Sequence, residues 1–209
     1  MAKYTGPSCK LCRREGVPLM LKGRRCLTEK CAVKRKKFPP GPPRKRRSKL
    51  SDYGIQLREK QKIKRSYMLL EKQFKSIFVE ASMMKGVTGD NMMSLLERRL
   101  DNVLYRMGFA SSRVQARQFI QHRHVTVNNQ IVDIPSFRVK ENYEVQIRDD
   151  FKENTMLEDA IKLSKAVSSV PEWVEIDYDG RTGKIVRLPA RQDVLAAFNE
   201  QLVVELYSK

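Results

Sequence analysis

All four cysteines of this 209-residue chain lie in its first 31 residues, and no other feature constrains the fold as strongly. They form two pairs with thirteen residues between them, Cys9 with Cys12 and Cys26 with Cys31. A separation of two to four residues lets both thiolates of a pair reach one ion, and two such pairs complete a tetrahedron. The spacing therefore predicts one structural zinc ion with four thiolate ligands. An iron–sulfur cluster accepts the same ligands, and four unliganded thiols in a disordered basic arm are the remaining alternative.

The residues around the cysteines favour metal binding over disulfides. Four cysteines in a small secreted domain would indicate two disulfides, but the start of this sequence lacks the apolar run of a secretory signal. Neighbouring cations such as Arg13 and Arg14 favour thiolate over thiol. A segment this short and basic buries too little apolar surface to order itself, so we expect the metal to replace a core.

Positive charge is concentrated at one end of the chain. The formal net charge is +18, with +15 in residues 1–50, +7 in residues 51–125 and −4 in residues 126–209. An excess of this size indicates a polyanionic partner. The basic run RKRRSK has no apolar face for a membrane surface, and no stretch approaches the roughly 20 apolar residues of a membrane span. We therefore expect a cytoplasmic protein that binds nucleic acid.

A proline-rich basic linker, FPPGPPRKRRSKL at residues 38–50, follows the cysteine segment. Its prolines exclude regular secondary structure, and its cations repel one another. Basic residues packed this densely are typical of segments that follow RNA phosphates, although a solvated linker with incidental charge is the alternative. The predicted phosphate contacts here are Arg44, Lys45, Arg46, Arg47 and Lys49.

The next part of the chain has the apolar periodicity of a helical domain. Residues 51–82 predict two helices, and a glycine-containing turn is expected at residues 85–91. One amphipathic helix should follow, with an apolar face that runs from Leu96 through Leu100 to Met107. Gly108 is its predicted C-terminal stop.

Residues 111–149 predict a helix followed by short strands, of which the first two form a hairpin. Ser112 and Gln115 form a capping-box pattern, and Ala116, Phe119 and Ile120 should face inward. A stripe of donors should lie exposed on the other side of this helix: Arg113, Arg117, Gln121 and His124. The hairpin should turn at residues 128–129, since asparagine tolerates positive φ. Such a stripe beside a hairpin suits folded RNA, and an ordinary solvated helix face is the alternative.

The last third is acidic and predicts mixed structure. A helix is expected at residues 154–168, with strands at 173–177 and 184–189 around the turn DGRTG. Its excess acid argues against a main RNA surface and favours a protein partner or an exposed acidic face. Trp173 is expected in the core, and the ending NEQLVVELYSK is expected to dock on the helical domain.

Three stretches resemble signature segments of the bacterial-type ribosomal protein S4 family: LSDYGIQLREKQK, LLERRLDNVLYRMGFASSRVQARQFIQHRHVTVNNQIVDIPS and NEQLVVELYSK. The cysteine-rich start resembles the zinc-bearing members of that family. The middle stretch alone also resembles an RNA-binding module of tRNA synthetases and pseudouridine synthases. This chain departs from the common pattern at Asn129 and Met68, where Gly is usual, and at Pro42-Pro43, where Gln-His is common.

The resemblance implies an α+β fold in four parts. Residues 1–37 would form the four-cysteine zinc module with its basic arm, and residues 38–50 the linker. Residues 51–97 would form a mostly helical domain completed by 190–209, and residues 98–189 an inserted RNA-binding domain. That inserted domain would combine a helix–loop–hairpin module with a small antiparallel sheet.

The resemblance also implies partners within the 30S ribosomal subunit. Family members bind 16S rRNA in its 5′ domain early in assembly, contact protein S5, influence translational accuracy and line the mRNA entrance with basic residues. Pattern and resemblance together predict RNA contacts at Arg13, Arg14, Arg44, Lys45, Arg46, Arg47, Lys49, Tyr53, Arg58, Lys60, Lys62, Arg113, Arg117, Gln121, His122, Arg123, His124 and Asn128.

An RNA-modifying or tRNA-handling enzyme with the same module is the rival class. Such an enzyme needs a catalytic constellation, but His122 and His124 have no third ligand within sequence reach. Neither GxxxxGK nor GxGxxG occurs. We therefore predict a protein that is not an enzyme. The two histidines are interpreted as donors to phosphate or 2′-hydroxyl oxygens, or as plain surface residues.

Overall fold

Three short helices surround a small apolar cluster at the N-terminus: α1 (Ser8–Glu15), α2 (Arg24–Leu27) and α3 (Ala32–Arg35). The computed structural model describes residues 4–36, 38–42, 49–167, 170–194 and 198–208. The chain divides into two compact units, Met1–Met92 with Ala196–Lys209, and Met93–Leu195. No helix within the described ranges is long and apolar enough to cross a membrane.

The N-terminal cluster draws one of its side chains from the helical domain. Cys12, Leu19 and Leu21 are buried together with Met68, which lies just after helix α4 (Asp52–Ser66). Met68 has φ 53°, a left-handed conformation that is strained for any residue with a Cβ atom. The helical domain thus supplies part of the core that we expected a metal to replace.

The predicted pair of helices is confirmed as α4 (Asp52–Ser66) and α5 (Glu71–Met83). The hydroxyl of Ser51 caps α4 by accepting a hydrogen bond from Gly54 N at 3.2 Å. Ile63, Phe74 and Phe78 are buried, as their periodicity requires.

Two further helices, α6 (Thr88–Glu97) and α7 (Leu100–Arg106), replace the single helix expected around Leu96–Met107, so that prediction is wrong. The interruption has a tertiary cause. Leu100 N donates to Phe137 O at 2.8 Å, and Val139 N donates to Arg98 O at 3.0 Å, so a distant segment takes backbone groups that a continuous helix would use. Helix α6 also begins inside the segment expected to be a turn. Gly108 follows α7 with φ 78°, as predicted.

The second unit is built on a five-stranded antiparallel sheet in the order β2-β1-β3-β5-β4. Its helices are α8 (Arg113–Gln121) and α9 (Thr155–Val167). Its strands are β1 (Val125–Val127), β2 (Gln130–Ile131), β3 (Glu144–Ile147), β4 (Val174–Asp177) and β5 (Thr182–Ile185). The predicted hairpin, the helix near 154–168 and the α+β class are confirmed, whereas β5 begins earlier and ends sooner than the strand expected at 184–189.

The core of the second unit lies between this sheet and its helices. Trp173, predicted to be core, is fully buried, as are Phe109 and Ile120. The inward positions predicted for α8 are confirmed, because Ala116 and Phe119 are buried in the same cluster. Helix α8 is therefore fixed along one face against the sheet.

The final helix, α10 (Glu200–Tyr207), packs on α4 in the first unit. The ring of Tyr207 stacks on Phe78 with centroids 4.5 Å apart. Gln56 Nε2 donates to Glu205 Oε2 at 2.9 Å. The predicted docking of the C-terminal segment on the helical domain is confirmed.

Candidate nucleic-acid interface

The start of helix α8 is fixed by a modified capping box. The Ser112 hydroxyl accepts a hydrogen bond from Gln115 N at 3.3 Å, as predicted. The return bond differs, because Gln115 Oε1 accepts from Ser111 N at 2.7 Å and from the Ser111 hydroxyl at 2.6 Å. The second hydrogen bond of the capping box is therefore donated by Ser111 and not by the N-cap residue Ser112.

The exposed stripe predicted on α8 is wrong for Arg113 and Arg117, and His124 lies beyond the end of the helix at Gln121. Arg113 is buried, donates Nε to Asn102 Oδ1 at 2.8 Å and lies over the Tyr105 ring, 4.6 Å from its centroid. Arg117 is largely covered and donates Nε to Asp101 Oδ2 at 2.6 Å. Helical periodicity placed both side chains away from the apolar core, but helix α7 covers that face.

Asp101 organises the arginines at this helix pair. Its side chain is only 2% exposed. Arg99 donates to both of its oxygens, with Nε to Oδ1 at 3.2 Å and Nη2 to Oδ2 at 3.1 Å, while Arg117 approaches Oδ2. A buried carboxylate requires such partners, so Asp101 holds two guanidinium groups in fixed positions.

Glu97 forms a second buried acidic centre beside it. Its carboxylate accepts from Asn102 Nδ2 at 2.7 Å and from Arg106 through two bonds of 2.9 and 2.8 Å. Asn102 is fully buried and links this centre to Arg113. Around α7 and α8, three guanidinium groups thus contact two carboxylates and that of Arg113 contacts the Asn102 amide, so four positive charges lie near two negative ones.

Sequence reasoning did not predict that Glu97, Asp101 and Asn102 are buried. Asp101 and Asn102 follow Leu100 by one and two positions, about 100° and 200° around the helix, so periodicity places them off the apolar face that Leu100 shares with Val103. Helix α8 covers them instead, because Arg117 contacts Asp101 and Arg113 contacts Asn102. Their burial is therefore a tertiary effect that no local pattern marks.

The turn that follows α8 is exposed and gathers three predicted contact residues. Gln121, His122 and Arg123 are all exposed, and Arg123 has φ 64°. The guanidinium group of Arg123 forms a solvent-exposed pair with Asp133, Nη2 to Oδ2 at 3.3 Å. We call residues 121–123 the exposed turn. Its side chains are placed to meet a ligand.

The hairpin β1–β2 turns through Asn128 and Asn129, with φ values of 48° and 64°. Positive φ at both central residues is the geometry of a type I′ turn, which asparagine tolerates. Asn129 therefore fills a position that is often Gly without disturbing the turn. Asn128 is exposed and its Oδ1 accepts from Glu144 N at 2.9 Å, which fixes the tip against β3.

His124 is partly covered. Its ring stacks on Phe151 with centroids 3.9 Å apart and planes 12° from parallel. Burial lowers the pKa of His124, as do His122 and Arg148, while Asp150 raises it. The imidazole therefore favours its neutral form near pH 7.

The RNA contacts predicted in the first unit include some residues that are exposed and others that are held in ion pairs. Lys49, Tyr53 and Arg14 are exposed. Lys60 and Lys62 are held in ion pairs, Lys60 Nζ to Glu71 Oε1 at 2.6 Å and Lys62 Nζ to Glu59 Oε1 at 3.0 Å. The predicted contacts Arg44, Lys45, Arg46 and Arg47 lie outside the described residues.

Glu15 connects the N-terminal helices to α4. Its side chain is 2% exposed and pairs with Arg65 and with Arg58, Arg58 Nη1 to Oε1 at 3.3 Å. Burial raises the pKa of Glu15, and the two arginines oppose that rise. Arg13 donates to Phe38 O at 2.9 Å and Pro39 O at 3.1 Å, so it binds the first residues of the linker. Arg13 and Arg58 thus have contacts within the protein.

The four thiols lie within electrostatic range of one another. Cys12 and Cys31 are buried, and Cys9 and Cys26 are partly buried. Burial raises the pKa of Cys12, and the other three thiols raise it further against an opposing backbone hydrogen bond. Lys22 N donates to Cys26 Sγ at 3.3 Å. The donor set suits zinc, but within the described part of the chain no three His, Cys, Asp or Glu side chains are placed to hold one ion.

Comparison with known proteins covers the whole chain. The family described as Ribosomal protein S4/S9 N-terminal domain matches residues 3–97, and the S4 domain matches residues 98–145. Relatives named small ribosomal subunit protein uS4 match over 209 residues and the full length of both chains. They come from Pelobacter propionicus (53% identical), Trichlorobacter lovleyi (53%) and Thermodesulfovibrio yellowstonii (52%).

The chain belongs to the ribosomal protein S4 family. This family consists of structural proteins rather than enzymes, so the rival enzymatic class is not supported. In this chain, the residues that match the S4 domain contain α7, α8 and the hairpin β1–β2. The exposed turn and the network around Asp101 and Asn102, apart from Glu97, therefore lie in the segment that matches the S4 domain.

Proposed function

We propose that this protein is a structural component of the small ribosomal subunit that binds 16S rRNA directly. Its relatives carry the name of a small-subunit protein over their full length. The observation that carries the RNA-binding part is the exposed turn, which joins a helix surrounded by excess guanidinium charge to a rigid hairpin. Such a surface can follow phosphates and the shallow groove of folded RNA.

The finer parts of the proposal concern assembly and partners. Binding to the 5′ domain of the rRNA early in assembly would organise later additions to the 30S subunit. Contact with protein S5, an influence on translational accuracy and contact with mRNA at its entrance complete the proposed role. The +15 net charge of residues 1–50 supports a second RNA surface, to which Arg44, Lys45, Arg46, Arg47 and Lys49 would contribute. The proposed location is the ribosome in the cytoplasm.

A competition experiment tests the main proposal. The full chain is bound to a 16S rRNA 5′-domain fragment, tRNA and duplex DNA of similar length at several salt concentrations. We expect the rRNA fragment to compete best at every salt concentration, with a linear fall of log affinity against log salt. Equal affinity for the three nucleic acids would show only a general polycation and would refute the proposal.

We also propose that the four cysteines bind one zinc ion. In support, the other three sulfurs lie near enough to raise the pKa of Cys12, and a divalent cation would stabilise the thiolates. All four donors lie in one short segment, residues 9–31. Zinc would be structural here, because four thiolates leave no open position.

Elemental analysis of purified protein tests the metal proposal. We expect about one zinc per chain, lost in a Cys31→Ser variant together with thermal stability of the N-terminal helices. If iron and visible absorbance are found in place of zinc, the four cysteines hold an iron–sulfur cluster. Absence of both metals, with four thiols that react freely in the folded protein, would overturn it.

A further inference from the structure

His124 and Phe151 form a fixed aromatic pair beside the exposed turn. The rings are nearly parallel, with centroids 3.9 Å apart. The buried ring of Phe119 packs edge-on against Phe151, with centroids 4.8 Å apart. Because Phe119 belongs to the core of the second unit, the orientation of the imidazole is determined by packing beneath it.

The two nitrogens of His124 lie in different surroundings. Nδ1 is buried and has no hydrogen-bond partner among the described residues. The residue as a whole is partly exposed, and within the described residues Nε2 is not among the buried side-chain atoms that lack a partner. A proton on Nδ1 would be a buried donor without an acceptor, which is unfavourable. The neutral ring therefore carries its proton on Nε2.

Burial is the main factor that opposes protonation of the ring. It lowers the pKa of His124 most, and the adjacent His122 and Arg148 add to this effect. Asp150 acts in the other direction, but it pairs with Arg148, Oδ2 to Nη2 at 3.2 Å. His124 thus presents an uncharged donor beside the guanidinium group of Arg148.

We propose that His124 donates Nε2–H to an RNA phosphate oxygen as a neutral imidazole, and that Phe151 is the positioning residue that fixes this donor. The inference rests on the proposed RNA binding, since the ligand must lie against the exposed turn. A phosphate is the favoured acceptor because the guanidinium group of Arg148 lies beside the ring and the adjacent carboxylate of Asp150 is paired with it. Arg148 Nη1 donates to the backbone oxygen of Arg123 at 3.2 Å, which places both residues at this edge of the domain.

Substitutions distinguish the two nitrogens. His124→Gln keeps an N–H near the Nε2 position, whereas His124→Asn places it near the Nδ1 position. We expect His124→Gln to bind the rRNA fragment nearly as wild type does, and His124→Asn and His124→Ala to bind about fivefold more weakly, the effect of one ordinary hydrogen bond. The slope of log affinity against log salt should not change, because no cation is removed.

The role of Phe151 is tested by coupling. Phe151→Leu should weaken binding about as much as His124→Ala, and the double variant should bind no more weakly than either single one. Phe137→Leu is the matched control, because it removes an aromatic ring packed on the same core, stacked on Tyr143 and away from His124. It should cost stability and leave RNA affinity unchanged.

Imidazole NMR gives a readout that a structural role would not move. In wild type we expect the Nε2–H tautomer to dominate and the pKa of His124 to lie below its ordinary value; in Phe151→Leu the pKa should rise and the tautomers should mix. Equal tautomers in wild type, additive losses in the double variant, or a salt slope reduced by about one in His124→Ala would overturn the inference. If wild type fails to prefer rRNA, the proposed function fails, whereas the NMR result still decides whether Phe151 fixes the ring.

Discussion

Arg113 Nε donates to Asn102 Oδ1 at 2.8 Å, and both residues are buried. An arginine expected on an exposed stripe is therefore part of the interior of the second unit. Removing the guanidinium leaves the Asn102 oxygen without this partner in a place that water does not reach. A substitution of Arg113 therefore affects the stability of the second unit.

Arg113→Ala should lower the free energy of unfolding by about 2 kcal/mol, because a buried polar group loses its partner and the contact with Tyr105 is lost. Urea unfolding followed by circular dichroism measures this loss. Arg123→Ala is the control, since its side chain is largely exposed and should change stability by less than about 0.5 kcal/mol. Equal stability of the two variants would contradict a structural role for Arg113.

Asp101→Asn should destabilise the second unit by about 3 kcal/mol, because Arg99 and Arg117 would then lie beside a neutral group in a largely covered site. Calorimetry would show the fall in melting temperature. Asp133→Asn provides the matched comparison, since it removes the same charge from an exposed pair and should cost about 0.5 kcal/mol or less. Similar losses in both variants would refute the argument from burial.

The low pKa of Glu71 predicts that the first unit loses a small part of its stability in acid. Partial burial alone would raise the pKa of Glu71, but hydrogen bonds from Lys60 and Lys64 lower it to about 2 from 4.5. Because the folded pKa is depressed, this stabilisation is present above about pH 4.5 and is lost as the pH falls toward 2. The side chain is 47% exposed, so screening limits the effect to about 1 kcal/mol.

The test for Glu71 is the pH dependence of unfolding. Glu71→Gln should be less stable than wild type at pH 7, and the difference should shrink between pH 4.5 and 2. Glu80→Gln, on the same helix, would show whether the change is specific. A constant difference down to pH 2 would contradict the assignment.

Met68→Gly tests two opposing effects in the N-terminal cluster. Glycine removes left-handed strain of about 1 kcal/mol at φ 53°, but it also removes a buried side chain worth about 2–3 kcal/mol. We therefore expect a net loss of about 1–2 kcal/mol, seen as faster proteolysis of residues 4–36. Met68→Leu keeps the volume and should remain close to wild type. Greater stability in Met68→Gly would show that strain outweighs burial.

Local patterns predicted the elements whose determinants are local. The periodicity of α4 and α5, the asparagine turn at 128–129 and the stop at Gly108 each rest on neighbouring residues, and the structure contains all of them. Sequence reasoning likewise predicted that Trp173 is core, since a single large apolar residue in a strand is most simply buried.

The features that sequence reasoning did not predict depend on distant residues. The break between α6 and α7 comes from backbone bonds to Phe137 and Val139, and no local signal marks residues 98–99 as a break. Helical periodicity shows that Arg113 lies opposite the core of its own helix. It does not show that α7 covers that side, which requires knowledge of how the two helices meet.

The packing of α10 on α4 also sets an order of events during synthesis. Gln56 and Glu205, which meet across this contact, are 149 positions apart, and the whole of Met93–Leu195 is translated between them. Domains generally fold as units while the chain emerges, so the sheet-containing unit can complete its core first. The side of α4 that α10 covers therefore stays exposed until the last helix has been translated.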